Sequence, residues 1–220
     1  MTETSSELNR QYWDAFYRTN HRHTPSQFCA CILTEIEPDT VVVELGSGNG
    51  RDSHYFASQG HITAAMDLSK EAIKSCEDQA RSRNIEHSAF FQGDITSRKS
   101  LDRVISYARK NAKGKDIVFY SRFVMHSLDD DQELAFMASV SEAMQTGEII
   151  YFEFRSKEDA SLRKHYGGHY RRYVDTEIFL HLLTNKFGFD IEYSLTGNGM
   201  AKYREEDPCV SRVFARKTGT

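Results

Sequence analysis

Glu44-Leu45-Gly46-Ser47-Gly48-Asn49-Gly50 places three glycines at alternate positions where the apolar run Val41–Leu45 ends. Glycine tolerates left-handed backbone angles and brings the main chain against a ligand with no Cβ between them. In open α/β sheets such a loop, between a strand and a helix, lies at the carboxyl ends of the strands, where ligands bind. A dinucleotide fingerprint would read G-x-G-x-x-G, but the third position is Arg51, so the spacing fits NAD poorly. Asp67 follows Gly46 by 21 residues at the end of a second apolar run, with Leu68 beside it. A carboxylate there can accept two hydrogen bonds from ribose hydroxyls. Gly93-Asp94-Ile95 and Ser121-Arg122-Phe123 close two further runs. A side chain added at Gly48 is expected to enter ligand space on this rim rather than the core.

Proton transfer would need another set of residues. His126 lies about five residues past the fourth run, and His165 and His169 follow the fifth. Imidazole exchanges a proton near neutral pH, so His126 and His169 are candidate general bases, with His165 a competitor and candidate substrate contact. The segment Arg155–Arg172 holds Arg155, Lys157, Arg163, Lys164, Arg171 and Arg172 against Glu158 and Asp159, a local charge of +4 in a chain of net charge −4. Gly167-Gly168 permits a tight fold, and Tyr166, Tyr170 and Tyr173 add flat amphipathic surface. Guanidinium forks match carboxylate or phosphate oxygens in pairs. The segment therefore reads either as a solvated charged face or as an anion-binding lid that includes Arg155, Tyr170, Arg171 and Arg172. The stretch Gly197–Arg204 adds Lys202 and Tyr203, with Glu205, Glu206 and Asp207 placed to pair with Lys202 and Arg204. No histidine or carboxylate spacing predicts a metal.

These positions need a scaffold. Strands are expected at Val41–Leu45, Ile62–Met66, Ser88–Gln92, Asp116–Tyr120 and Glu148–Phe154, alternating with helices at Asp52–Gln59, Ser69–Asn84, Ser100–Asn111 and Asp130–Met144. A helix from Asp175 to Lys186 precedes two last strands, Phe189–Leu195 and Val210–Arg216, joined with no helix between them. Alternation predicts a parallel sheet covered on both faces, and the final hairpin makes the last strand antiparallel. Tyr12, Trp13, Phe16 and Tyr17 recur at helical spacing and form one apolar face, either for core packing or as a cover over the site. One domain over 1–220 follows, with 1–37 as an N-terminal helical lid and 155–174 and 196–209 as loops on the substrate side.

The E-x-G-x-G-x-G loop resembles motif I of class I S-adenosylmethionine-dependent methyltransferases. The stretch ELGSGNGRDSHYFASQG, followed by AAMDLS, is similar to small-molecule and thiopurine/tellurite-type members. Gln11–Tyr17 with Pro25–Phe28 resembles, over a short stretch, the opening of methyltransferase domains in polysaccharide chain-terminating enzymes. The likeness covers about residues 38–155. It implies an α/β, Rossmann-like, seven-stranded and mostly parallel sheet in the order 3-2-1-4-5-7-6, with S-adenosylmethionine as cofactor. By the same resemblance Glu44, Gly46, Ser47, Gly48, Asn49, Gly50 and Arg51 cradle the cofactor. Asp67 and Leu68 meet its ribose, Gly93, Asp94 and Ile95 its adenine, and Ser121, Arg122 and Phe123 the methyl-donor rim. Trp13 lies on the helix that covers it.

The implied reaction is methyl transfer to an oxygen of a small, anionic metabolite or glycan. An RNA or protein methyltransferase is the alternative, disfavoured by the net charge of −4 and the lack of an N-P-P-Y motif. A non-catalytic cofactor-binding protein is disfavoured by the intact Glu44, glycine loop, Asp67 and Asp94. A nicotinamide reductase is disfavoured by Arg51 and by the lack of a well-placed Tyr-x-x-x-Lys. Apolar residues at 39% allow a real core. The four cysteines form no C-x-x-C pair. With no leader-like stretch and no apolar run of about 18 residues, a soluble cytoplasmic protein with reduced thiols is expected.

Overall fold

The computed structural model describes residues 5–19, 22–165 and 170–219. Strands β1 (Val41–Leu45), β2 (Ile62–Asp67), β3 (Ser88–Gln92), β4 (Ile117–Arg122), β5 (Ile149–Arg155), β6 (Phe189–Gly197) and β7 (Val210–Lys217) make one sheet. Its order is β3-β2-β1-β4-β5-β7-β6. The first five strands pair in parallel, and β7 runs antiparallel to both β5 and β6. The helices are α1 (Ser5–Thr19), α2 (Gln27–Ile32), α3 (Arg51–Ser58), α4 (Lys70–Ser82), α5 (Arg98–Ala112), α6 (Asp130–Ala143) and α7 (Thr176–Asn185).

Residues alternate between the sheet faces with the period of 2 that extended backbone imposes. Val41, Val43, Leu45, Phe119 and Phe152 meet α5, α6 and α7 on one face. Val42, Val118, Tyr120, Tyr151 and Phe214 meet α2 and α3 on the other. This is why β1 is buried along its whole length: a strand covered on both sides reads as a continuous apolar run. Glu44 falls in register with Val42, so its carboxylate points to the α3 face, where Ser53 donates to it.

Element ends differ from the sequence expectation by a residue or two, and two differences bear on the site. Strand β4 runs two residues past Tyr120, because Ser121 and Arg122 pair with Phe152 and Glu153 of β5. Helix α2 is too short to carry a readable apolar period. It is set instead by its N-cap: the Ser26 hydroxyl accepts from Cys29 N at 2.9 Å.

Ser26 also joins a buried knot that fixes the helices behind the crevice. Asp52, in the first turn of α3, accepts Ser26 N and Ser26 Oγ at 2.7 Å each and Tyr120 Oη at 2.8 Å. One carboxylate thus ties α2, α3 and β4 together. A hydrogen bond to a buried charge contributes roughly 1.5–3 kcal/mol. Tyr120→Phe should therefore lower stability by about that amount in urea titration, with an unchanged m-value. Equal midpoints for the variant and wild type would show that the knot is not a stabilising element.

Candidate active site

The strand order reverses between β1 and β4, and their carboxyl ends open a crevice. Gly46, Gly48 and Gly50 of the β1 loop have φ of +82°, +54° and +73°, backbone that L side chains rarely adopt. A Cβ on Gly46 would collide with Val124 of the neighbouring loop, and one on Gly48 with the Tyr17 hydroxyl of α1. The expectation that a substituent at Gly48 meets ligand space is corrected: it meets the helix that covers the loop.

Asp67 ends β2 beside this loop. Its carboxylate accepts Gly48 N at 2.8 Å and Ser69 N at 2.9 Å. Each oxygen keeps lone-pair capacity for a further donor. Burial pushes Asp67 up to about 6, against the pull of those two N–H groups. Burial and the nearby Asp52 carboxylate push Glu44 upward as well. Asp94, past β3, turns its Oδ1 to Thr96 N at 2.9 Å.

A cavity of about 470 Å³ fills the crevice. From the β1 loop it is lined by Glu44, Gly46, Ser47, Gly48, Asn49 and Arg51, but not by Gly50, which serves as the N-cap of α3. Asp67, Leu68, Asp94 and Ile95 continue the wall, while Gly93 packs behind it against Ser100. Helix α1 forms the roof with Tyr12, Trp13, Phe16 and Tyr17. Asn9 Nδ2 holds one end to Ser127 O at 2.8 Å, and Asp14 holds the other, accepting Ser69 Oγ at 2.5 Å. The aromatic face thus covers the cavity.

The β4 and β5 side carries the cations. Phe123 follows β4 at φ +58°, a costly conformation for an aromatic residue and of the kind that clusters at functional sites. The Arg122 guanidinium lies 4.0 Å from its ring centroid and that of Arg155 5.3 Å, while the His126 ring meets it edge-on at 5.3 Å. Arg122 is held by Glu153 at 2.7 Å, and Arg155 by Asp159 at 2.7 Å and by Glu206. His126, Arg171, Lys202 and Tyr203 also line the cavity.

Other residues singled out by sequence lie elsewhere. Ser121 is buried within β4 and does not line the cavity. Arg172 reaches away to Asp130 at 2.5 Å and to Glu133. Tyr170 is 52% exposed. His165 stacks edge-on against Tyr203 outside the lining. His169 lies outside the described residues. The +4 of the 155–172 segment is largely answered from outside it: Lys157 pairs with Asp175, Arg163 with Glu205 and Arg155 with Glu206. Glu206 therefore serves Arg155 rather than Lys202 or Arg204. Asp52 and Arg22 also line the cavity, and neither sits in a motif that the sequence makes recognisable. No cluster of metal-ligating side chains occurs among the described residues.

The acceptor set suits S-adenosylmethionine. Carboxylates of Glu44, Asp52, Asp67 and Asp94 surround one half of the cavity, as a cationic ligand with ribose hydroxyls requires, and the glycines leave room for close approach. Fold and cavity together define a class I S-adenosylmethionine-dependent methyltransferase. The methyltransferase domain family matches residues 36–160, and the chain belongs to that family. No curated protein matches it in sequence.

Solved structures share its fold. A SAM-dependent methyltransferase from Methanosarcina mazei matches with TM-score 0.66 and 17% identity, over 86% of this chain and 98% of that one. Magnesium protoporphyrin IX methyltransferase from Synechocystis, with bound SAM, gives TM-score 0.69 and 14% identity, over 99% of each chain. The cyclase SpnF matches with TM-score 0.71 and 12% identity, over 100% and 98%. One architecture thus hosts different reactions.

The raised Asp67 gives a pH signature for cofactor binding. Only the ionised carboxylate can accept from both ribose hydroxyls, so binding should expel the proton. S-adenosylhomocysteine affinity should weaken as pH falls through about 6, by up to roughly tenfold per unit. Asp67→Asn should abolish this slope and bind weakly throughout. A wild-type affinity that is flat in calorimetry between pH 5 and 8 would contradict the assignment.

Proposed function

We propose that the protein transfers the methyl group of S-adenosylmethionine to an oxygen of a small, anionic metabolite or glycan. The observation that carries this reading is the sorting of charge along the crevice. Acids line the β3-β2-β1 half, while Arg122, Arg155, Arg171 and Lys202 line the β4-β5 half. Arg22, Arg51 and Glu206 are the exceptions. An anionic acceptor is drawn to the second half, and the cationic cofactor to the first.

Size supports a small acceptor. A cavity of about 470 Å³ is within the range of single small-molecule sites, and it must hold the cofactor too. The roof of α1 further narrows access. The free thiols of Cys29, Cys31, Cys76 and Cys209 fit a reducing cytoplasm.

Bound S-adenosylmethionine supplies an activated methyl on a sulfonium. The chain supplies alignment and exclusion of water. Arg171 and Lys202 hold the anionic group of the acceptor, since charges in a partly closed cleft interact more strongly than exposed ones. His126, 4% exposed and beside Phe123, takes the proton from the acceptor hydroxyl as the new bond forms.

The test is a panel of hydroxylated phosphates, carboxylates and their neutral analogues, assayed with S-adenosylmethionine carrying a labelled methyl. Turnover should be confined to the anionic members. His126→Asn should lower kcat by roughly 10²–10⁴ while leaving S-adenosylhomocysteine affinity intact. Arg171→Ala should raise KM for the acceptor by roughly tenfold or more. Methylation of the neutral analogues at equal kcat/KM would defeat the anionic reading, and an unchanged kcat in His126→Asn would remove the base.

A further inference from the structure

Arg22 lies before the segment matched by the family and touches both halves of the cavity. Its carbonyl accepts Asn49 Nδ2 of the glycine loop at 2.7 Å. Asn49 is itself fixed, 6% exposed, with its own carbonyl accepting Gln79 Nε2 at 3.2 Å. Two positions on, Thr24 O accepts Arg51 at 3.5 Å, and Ser26 is held by Asp52. The backbone of residues 22–26 is therefore fastened to the cofactor loop and the first turn of α3.

The side chain of Arg22 points the other way. Its guanidinium lies 4.1 Å from the ring centroid of Tyr203, in the loop between β6 and β7. That loop is closed by paired bonds between Tyr203 and Glu206, with N···O of 2.8 and 2.9 Å. Glu206 in turn receives Arg155, whose guanidinium faces Phe123. A continuous set of contacts thus runs from the glycine loop through Arg22 to the cation-rich half.

We propose that Arg22 is a positioning residue that couples cofactor occupancy to closure of the Tyr203 loop. A cation–π contact strengthens when water is removed from it. A cofactor filling the cavity does this while holding Asn49, and hence Arg22, in place. Coupling between sites is reciprocal, so a closed Tyr203 loop also tightens the cofactor. The inference rests on the cavity being the cofactor site.

Hydrogen exchange of single amides, with and without S-adenosylhomocysteine, tests it. In wild type the ligand should slow exchange at Gly48, next to Asp67, and also at Tyr203 and Glu206. Arg22→Met and Tyr203→Leu should keep the slowing at Gly48 and lose it at Tyr203 and Glu206 (at residue 206 in the Leu variant). Arg22→Met should bind the ligand roughly 2- to 30-fold more weakly, the range of one such contact, and Tyr203→Leu, which also loses the Arg204 contact, at least as weakly. Tyr203→Phe, which keeps the ring, should behave as wild type. Undiminished ligand-dependent slowing at 203 and 206 in Arg22→Met overturns the coupling, as does a Tyr203→Phe variant that behaves like Tyr203→Leu. A Gly48 amide indifferent to the ligand in wild type overturns the cofactor site itself, and the coupling falls with it.

Discussion

The reversal of strand order between β1 and β4 is the constraint from which the rest follows. The chain leaves β1 toward α3 on one face and leaves β4 toward α6 on the other, as the separate cores around Phe56 and Phe136 record. The two exits diverge, and a crevice is left at the carboxyl ends of the strands. The loops at its mouth must run close together. Gly46 has no Cβ because Val124 already occupies that space. Phe123 accepts left-handed backbone so that the chain can turn out of β4 and present its ring.

Charged residues at the strand ends are then sorted by the strand that carries them. Asp67 and Asp94 follow β2 and β3, while Arg122 and Arg155 end β4 and β5. The buried acids are expensive when empty, which is why Glu44 and Asp67 are pushed upward. A cationic ligand with hydroxyl donors relieves that cost. The arginines on the other half are each held by a carboxylate, Glu153 for Arg122 and Asp159 with Glu206 for Arg155. This fixes their geometry and lowers the net field of that half. Over both halves lies α1, whose aromatic face is oriented by two polar ties at Asn9 and Asp14.

Much of this was legible in the sequence because it is local. The alternation of apolar runs and amphipathic helices pointed to a parallel sheet covered on both faces, the resemblance to class I methyltransferases implied its strand order, and the glycine spacing with Asp67 and Asp94 located the rim. The four aromatics of α1 could be read as one face, but only the ties at Asn9 and Asp14 decide that the face roofs a cavity. Local charge counting misled at Arg155–Arg172. Its partners Glu206, Glu133 and Asp175 lie beyond the window, and long-range ion pairs leave no periodic mark. Asp52 and Arg22 leave no sequence signal for the same reason. Their roles come from contacts with Tyr120 and Tyr203, more than 60 residues away in each case.

A crystal structure with S-adenosylhomocysteine tests the central claim, a cavity divided at the β1–β4 boundary, most directly. The ribose hydroxyls should lie on Asp67, the adenine beside Asp94 and Ile95, and the sulfur near Glu44 and Phe123. The space beyond the sulfur should be bounded by His126, Arg171 and Lys202. A ligand lying the other way, with its adenosine among the arginines and the space beyond its sulfur walled by Asp67 and Asp94, would contradict it.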